Sequence, residues 1–228
     1  FFPTGAMSQS ALEQMIGHVE GLDGATAMAN GAILGQGGET WLNLKANDGP
    51  ALWFSAGAFS QANLFLNPRL VARVMELCAM TEGESGLDLF CGAGNFSIPL
   101  AVSGVSMSGV DFSEHAVASA DRACQANSLV KAHFTQEDCL AAANTLIASR
   151  VKFSAVILNP PRAGAGEVFQ KALELTDRRI VYVACDPAPL ARDAALAADS
   201  GFKLTGLDIF DMFPHTPHME TVALFEKE

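Results

Sequence analysis

Cys185 closes the apolar run Ile180-Val-Tyr-Val-Ala-Cys185 and is followed by Asp186-Pro187 and a stretch with helical spacing. The run reads as a strand, and open α/β sheets bind their ligands beyond the carboxyl ends of strands. A thiolate is strongly nucleophilic near neutral pH, so this placement suits covalent attack on a substrate. A buried structural cysteine fits the same spacing. Glu220 stands where a loop rich in polar residues enters the last apolar run, between Met219 and Thr221-Val222. A carboxylate in apolar surroundings has a raised pKa and can serve as a general base, whereas a glutamate at a strand entrance can equally face solvent. His215 and His218 in that loop have i, i+3 spacing and no further ligands nearby, which reads as structural, so no metal site is expected.

A second group of residues has the pattern of a nucleoside site. Leu87-Asp-Leu-Phe90-Cys-Gly92-Ala-Gly94-Asn95-Phe96 follows a strand and leads into a helix-like run from Ser97 to Ala101. Gly92 and Gly94 let the backbone approach a ligand closely. Asp111 ends the next strand, where an acid can accept hydrogen bonds from ribose hydroxyls. Phe96 and Ser97 occupy the place of the third glycine of the dinucleotide fingerprint, which favours a single-nucleoside ligand such as S-adenosyl-L-methionine. Asp138, after the third strand, can accept from an adenine amino group or simply be solvated. Asn159-Pro160-Pro161-Arg162 closes the fourth strand, and two prolines there fix the backbone so that Asn159 points its amide into the site. A rigid turn with a surface arginine is the plain alternative.

The elements that must position these residues alternate from Leu87 onward. Strands are expected at 86–90, 106–110, 132–135, 155–158, 180–184, 202–209 and 221–225, with helices after the first five. This pattern implies a mainly parallel sheet with helices on both faces. The last two strands, joined by a loop, form an antiparallel hairpin at one edge. Pro68 and the spacing of Leu70, Val71, Val74, Met75, Leu77 and Cys78 predict a preceding helix. Before Ser55, glycines including Gly21, Gly31 and Gly35 punctuate short β-like pieces at 32–34 and 40–44, a small β-rich appendage.

Half of the 228 residues are apolar and 17% are charged, enough for one main domain with a full core. No apolar stretch approaches the roughly 20 residues of a membrane span, and no basic segment precedes a hydrophobic core near Phe1. Neither membrane anchorage nor export is expected, although a chain that opens without Met makes absences near its start weak evidence. Five cysteines (Cys78, Cys91, Cys124, Cys139, Cys185) without a CxxC pair argue against a disulfide framework or zinc site and favour the cytoplasm. The net charge of −11 lacks the basic footprint of an autonomous nucleic-acid binder.

Taken together, the motifs resemble the RNA 5-methyluridine methyltransferases, which methylate carbon 5 of uracil in transfer and ribosomal RNA. The matching pieces, in order, are Phe59-Ser-Gln61-Ala62-Asn63, Asp88 to Asn95, Asn159-Pro-Pro-Arg162, Tyr182-Val-Ala-Cys185-Asp-Pro187 with Leu190-Ala-Arg-Asp193, and Phe213-Pro-His-Thr-Pro217-His-Met-Glu220. The resemblance implies a doubly wound, mainly parallel, seven-stranded methyltransferase sheet with an antiparallel edge strand over residues 59–228. Residues 1–58 are then the β-rich remnant of a central domain. It also implies S-adenosyl-L-methionine as cofactor, tRNA or rRNA as partner, Cys185 as nucleophile and Glu220 as base. Gln61, Phe90, Asn95, Asp111 and Asn159 fall at the family's cofactor-binding positions. Arg162 is expected among the cations that meet RNA phosphate.

Two departures stand out. The family usually has Asp-Pro-Pro-Arg and Ser-Cys-Asn-Pro where this chain has Asn159 and Ala184-Cys185-Asp186-Pro187. Its β-barrel RNA-binding domain and iron–sulfur cysteine cluster are not visible in this sequence, so RNA affinity is expected from sequence outside it, a local basic patch or a partner. These features keep open a catalytically impaired RNA- or cofactor-binding module. Asn-Pro-Pro also opens the motif of amino-nitrogen methyltransferases, but Arg162 occupies their aromatic position. A cytosine-5-methyltransferase would share the cysteine without the last loop.

Overall fold

The computed structural model describes residues 9–18, 23–29, 32–45, 49–61, 63–216 and 218–227, so Gly21, Gly31, Ala62 and Pro217 lie outside it. In chain order the N-terminal part comprises α1 (Gln9–His18), β1 (Gly24–Ala29), β2 (Ala32–Gly38), β3 (Trp41–Lys45), β4 (Ala51–Ser55) and α2 (Asn67–Cys78). Then follow β5 (Ser85–Leu89), α3 (Ser97–Val102), β6 (Ser106–Asp111), α4 (Glu114–Ala126), β7 (Ala132–Gln136), α5 (Cys139–Ala148), β8 (Phe153–Leu158), α6 (Glu167–Leu175), β9 (Thr176–Ala184), α7 (Pro187–Asp199), β10 (Phe202–Phe210) and β11 (Glu220–Lys227).

Seven strands form one sheet in the order β10-β11-β9-β8-β5-β6-β7. The neighbours from β9 to β7 are parallel, while β11 pairs antiparallel with both β9 and β10. The expected hairpin therefore lies at one edge, and within it β11 is the strand that runs against the rest. Strand residues alternate between two buried layers, as a sheet covered on both faces requires. Leu87, Val156, Tyr182 and Phe225 pack with α5, α6 and α7, whereas Met107, Ile157, Val181 and Leu224 pack with α2, α3 and α4. All five cysteines are unpaired, four of them buried and Cys185 partly exposed. Among the described residues no helix is long and apolar enough to cross a membrane.

The N-terminal part holds two hairpins, β1–β2 and β3–β4. Helix α1 and strands β1 and β4 add to the β-like pieces expected there. Ala and Gly dominate β1 (GATAMA), so neither alternation nor β-branched content marked it as a strand. The β3–β4 hairpin is fastened to α4. Asn127 donates to Ala51 O at 2.8 Å and accepts from Ala51 N at 3.1 Å. The Ser55 N–H donates to Ser119 Oγ at 3.0 Å. The Arg122 guanidinium lies 4.6 Å from the Trp41 ring centroid and 4.3 Å from that of Trp53.

This double stacking should be a main fastening of the hairpin, since a cation over two tryptophan faces gains from both quadrupoles. Arg122→Ala is expected to lower stability by about 1–2 kcal/mol in urea unfolding. An unchanged unfolding midpoint would mean that the hairpin is held by its hydrogen bonds alone.

Candidate active site

The chain runs outward from β5 through β6 to β7, then returns to the other side of β5 with β8, which makes the β5/β8 junction the switch point of the sheet. The glycine turn follows β5, Asn159 follows β8 and Cys185 follows β9 at the same end. Because β11 is reversed, its first residue, Glu220, also lies at this end. The register pairs Thr221 with Ala184, so one step further Glu220 faces Cys185. The structure thus brings together the two residues singled out for covalent and base chemistry.

Their surroundings set their acidities. Glu220 is 3% exposed, and among the described residues no hydrogen bond engages its carboxylate. Burial alone pushes its pKa up to about 7. The Cys185 thiol is also raised, chiefly by burial and then by the negative charge of Glu220, while Arg162 acts in the opposite sense. Glu220 ionises first, so its charge opposes the thiolate. Arg162 is exposed and reaches Asp186 at 3.6 Å, and Asp186 caps α7 by accepting from Ala188 N at 3.0 Å. A recess of about 10 Å³ beside Cys185, between Arg162, Tyr182 and Pro189, has room for about one water. A base must therefore enter from the open crevice or displace this loop. The Asn159 backbone N–H is tied to Leu89 O at 3.3 Å, which joins the end of β8 to the end of β5.

The glycine turn has the conformation its residues suggested. Gly92 has φ +56° and a side chain there would meet no atom within 4 Å, so the space above it is open to a ligand. At Gly94, with φ +82°, a Cβ would lie 2.7 Å from Ile98 Cγ1, so that glycine serves helix packing instead. Phe90 also takes a left-handed φ of 64°, uncommon for an aromatic residue, at the step where the chain leaves β5. Asp111 accepts from Gly92 N and from Ser113 N, both at 2.9 Å, so it shapes the turn as well as facing the crevice. Asp138 caps α5 through Oδ1, which accepts from Leu140 N and Ala141 N at 3.0 Å each. Gln61 and Asn95 line a different recess, an apolar cavity of about 350 Å³ between the β3–β4 hairpin and α2. Asn95 exchanges amide hydrogen bonds with Asn67, while the nearly buried Gln61 amide makes none among the described residues.

Two fully buried carboxylates were not singled out from the sequence. Asp88 accepts from Ser97 Oγ at the start of α3, its Oδ1 has no partner among the described residues, and burial raises its pKa to about 7. Asp193 sits on the inner face of α7 and accepts from the loop after Arg162. An acid between Leu87 and Leu89, and another at i+3 from Leu190 and i−4 from Ala197, were the available signals, since each interrupts an apolar stripe.

Glu220 binds its proton more tightly in the fold than its ordinary value of 4.5 would allow. Folding stability therefore falls as pH rises from below that value to about 7 and levels off above it. Glu220→Gln removes this loss. The variant should gain about 2–3 kcal/mol on the unmodified protein between pH 4 and pH 8, measured by denaturant unfolding at both. An equal difference at the two pH values would show that Glu220 is not held protonated by burial.

Comparison with known proteins agrees with this geometry. The sequence model of the tRNA (uracil-5-)-methyltransferase family matches residues 44–228. The 23S rRNA (uracil(1939)-C(5))-methyltransferase RlmD of Aliivibrio fischeri strain MJ11 is 39% identical over 180 residues, covering 79% of this chain and 41% of the relative. The protein of the same name from Nitrosococcus oceani is 44% identical over 171 residues, covering 74% and 38% respectively. The chain thus spans about two fifths of the length of these relatives. Among solved structures it is similar to the Pyrococcus abyssi tRNA (uracil-54, C5)-methyltransferase in complex with S-adenosyl-L-homocysteine, with a TM-score of 0.72 and 29% identity over 90% of this chain and 51% of that one. The family match runs through every strand of the large sheet, and the chain belongs to the tRNA (uracil-5-)-methyltransferase family.

Proposed function

We propose that residues 59–228 form the catalytic domain of an S-adenosyl-L-methionine-dependent RNA uracil-5-methyltransferase that works through a covalent Cys185–uracil adduct, with residues 1–58 as an appendage. The observation that carries this reading is the pairing of β11 with β9, which sets a buried carboxylate, without a hydrogen bond among the described residues, opposite a partly exposed thiol at the ligand end of the sheet. The crevice suits the cofactor through an open space above Gly92 and Asp111 beyond the next strand. Gly92, Phe90, Asp111, Asp138 and Asn159 would hold it there, and Gln61 and Asn95 would meet any part of it that extends into the neighbouring apolar recess beside α2. When bound, the cofactor supplies an electrophilic methyl group.

The residues of the chain do the rest. The Cys185 thiolate adds to carbon 6 of uracil, which makes carbon 5 nucleophilic. Once carbon 5 carries the methyl group, a carboxylate oxygen of Glu220 takes its proton. The carbon 5–carbon 6 double bond re-forms, and the thiolate leaves carbon 6. A base with a pKa of about 7 is matched to this step, being about half ionised near neutral pH and strong enough to accept the proton. Arg162 offsets the negative charge of Glu220 and Asp186 around the thiolate, a role that Asn159, uncharged where relatives usually have Asp, does not oppose. The target base must be unstacked to reach Cys185. The RNA, a tRNA or rRNA, meets a chain of net charge −11, so its phosphate contacts come largely from sequence outside this chain.

The two residues should fail in different ways. Cys185→Ala should abolish methyl transfer and adduct formation together. Glu220→Gln should still permit attack and methylation but stall before release, so that a covalent protein–RNA complex accumulates on unmodified uridine RNA. Denaturing gel electrophoresis with labelled tRNA and 23S rRNA transcripts and the cofactor reads both. A Cys185→Ala protein that still methylates contradicts the nucleophile, normal turnover by Glu220→Gln contradicts the base, and no methylation by an unmodified protein that binds both the RNA and the cofactor favours the impaired module.

A further inference from the structure

We propose that Asp193 is a positioning residue that seats the Arg162 loop against Cys185. Its Oδ2 accepts from Tyr182 Oη at 2.9 Å, from Ala165 N at 3.0 Å and from Gly166 N at 3.2 Å. Its Oδ1 meets Arg192 at 3.2 Å, and Arg192 donates in turn to Ala163 O at 3.1 Å. One carboxylate on α7 thus joins the strand that leads into Cys185, the loop that carries Arg162 and, through Gly166, the start of α6. The loop between is moulded to this grip. Gly164 has φ +88°, and a Cβ there would lie 2.7 Å from Pro189 Cβ and 2.9 Å from Arg192 Nη2.

A fully buried carboxylate is a costly way to join a loop to a helix, since apolar packing at the same place is often equally stabilising. What the charge adds is direction. It fixes two backbone groups shortly after Arg162, Ala165 N and Gly166 N, and through Arg192 a third, Ala163 O, while α7 begins directly after Cys185 and Asp186, so the guanidinium is held beside the thiol at a set distance from Asp186. Arg162, Glu220 and Asp186 are the charged groups acting on Cys185, and of these only Arg162 favours the thiolate. Loosening the loop therefore withdraws the one favourable charge.

The catalytic consequence rests on Cys185 being the nucleophile, but the test reads the thiol itself, without RNA, so the two can fail separately. The rate of carboxamidomethylation by iodoacetamide reports Cys185, because the other four cysteines are buried. Asp193→Asn should move the pH midpoint of this reaction upward and slow it about three-fold near neutral pH, as should Arg162→Ala. In the Arg162→Ala background, Asp193→Asn should move the midpoint no further. Arg192→Ala, at an exposed residue that releases Ala163, should shift it in the same direction and carries the test if Asp193→Asn does not fold. An unshifted midpoint in the folded variants, or an equal shift with and without Arg162, would overturn the proposal.

Discussion

The whole site depends on the reversal of one strand. In an all-parallel sheet the first residue of every strand lies far from the ligand end, and Glu220, at the entrance of the last strand, would be a full strand length from Cys185. Antiparallel insertion of β11 between β9 and β10 puts Glu220 at the carboxyl ends of β5, β8 and β9. The pairing must also hold its register, since a slip of one residue turns every side chain of a strand to the opposite face. Val222 and Leu224 pack with one layer, Ala223 and Phe225 with the other, so the core itself fixes where Glu220 stands.

Around this pair the structure accepts unfavourable burial of charge. Glu220 and Asp88 are both raised to about 7 by desolvation, and Asp193 is fully enclosed. The three serve different ends. Glu220 has no hydrogen-bond partner among the described residues, as the proposed base would require. Asp88 anchors the start of α3 behind the glycine turn, and Asp193 is saturated with donors from the loop and strand beside Cys185.

Much of this was legible in the sequence because β8, β9 and β11 are apolar runs rich in β-branched residues and alternate with helical patterns along the chain. The missing helix between β10 and β11 announced the hairpin, and the glycines announced a turn open to close approach, which holds at Gly92 but not at Gly94. Roles that depend on residues distant in sequence were not legible. Asp111 reads as a ribose acceptor from its place on the strand, but its grip on Gly92 N depends on β5 and β6 lying side by side. Asp138 sits where a cap belongs, yet only α5 behind it shows that both of its hydrogen bonds are local. Arg122 gives no local sign that it stacks between Trp41 and Trp53, because the hairpin and α4 meet only in the fold.

The central claim, that chemistry passes through a bond between Cys185 and carbon 6 of uracil, is tested most directly by trapping. With 5-fluorouridine in the target RNA, carbon 5 carries no proton for Glu220 to remove after methylation, so release is blocked. Mass spectrometry of the denatured complex, followed by peptide mapping, should find the methylated nucleotide attached to the peptide that contains Cys185. Methylated RNA without any adduct, or an adduct on Cys78, Cys91, Cys124 or Cys139, would contradict the account.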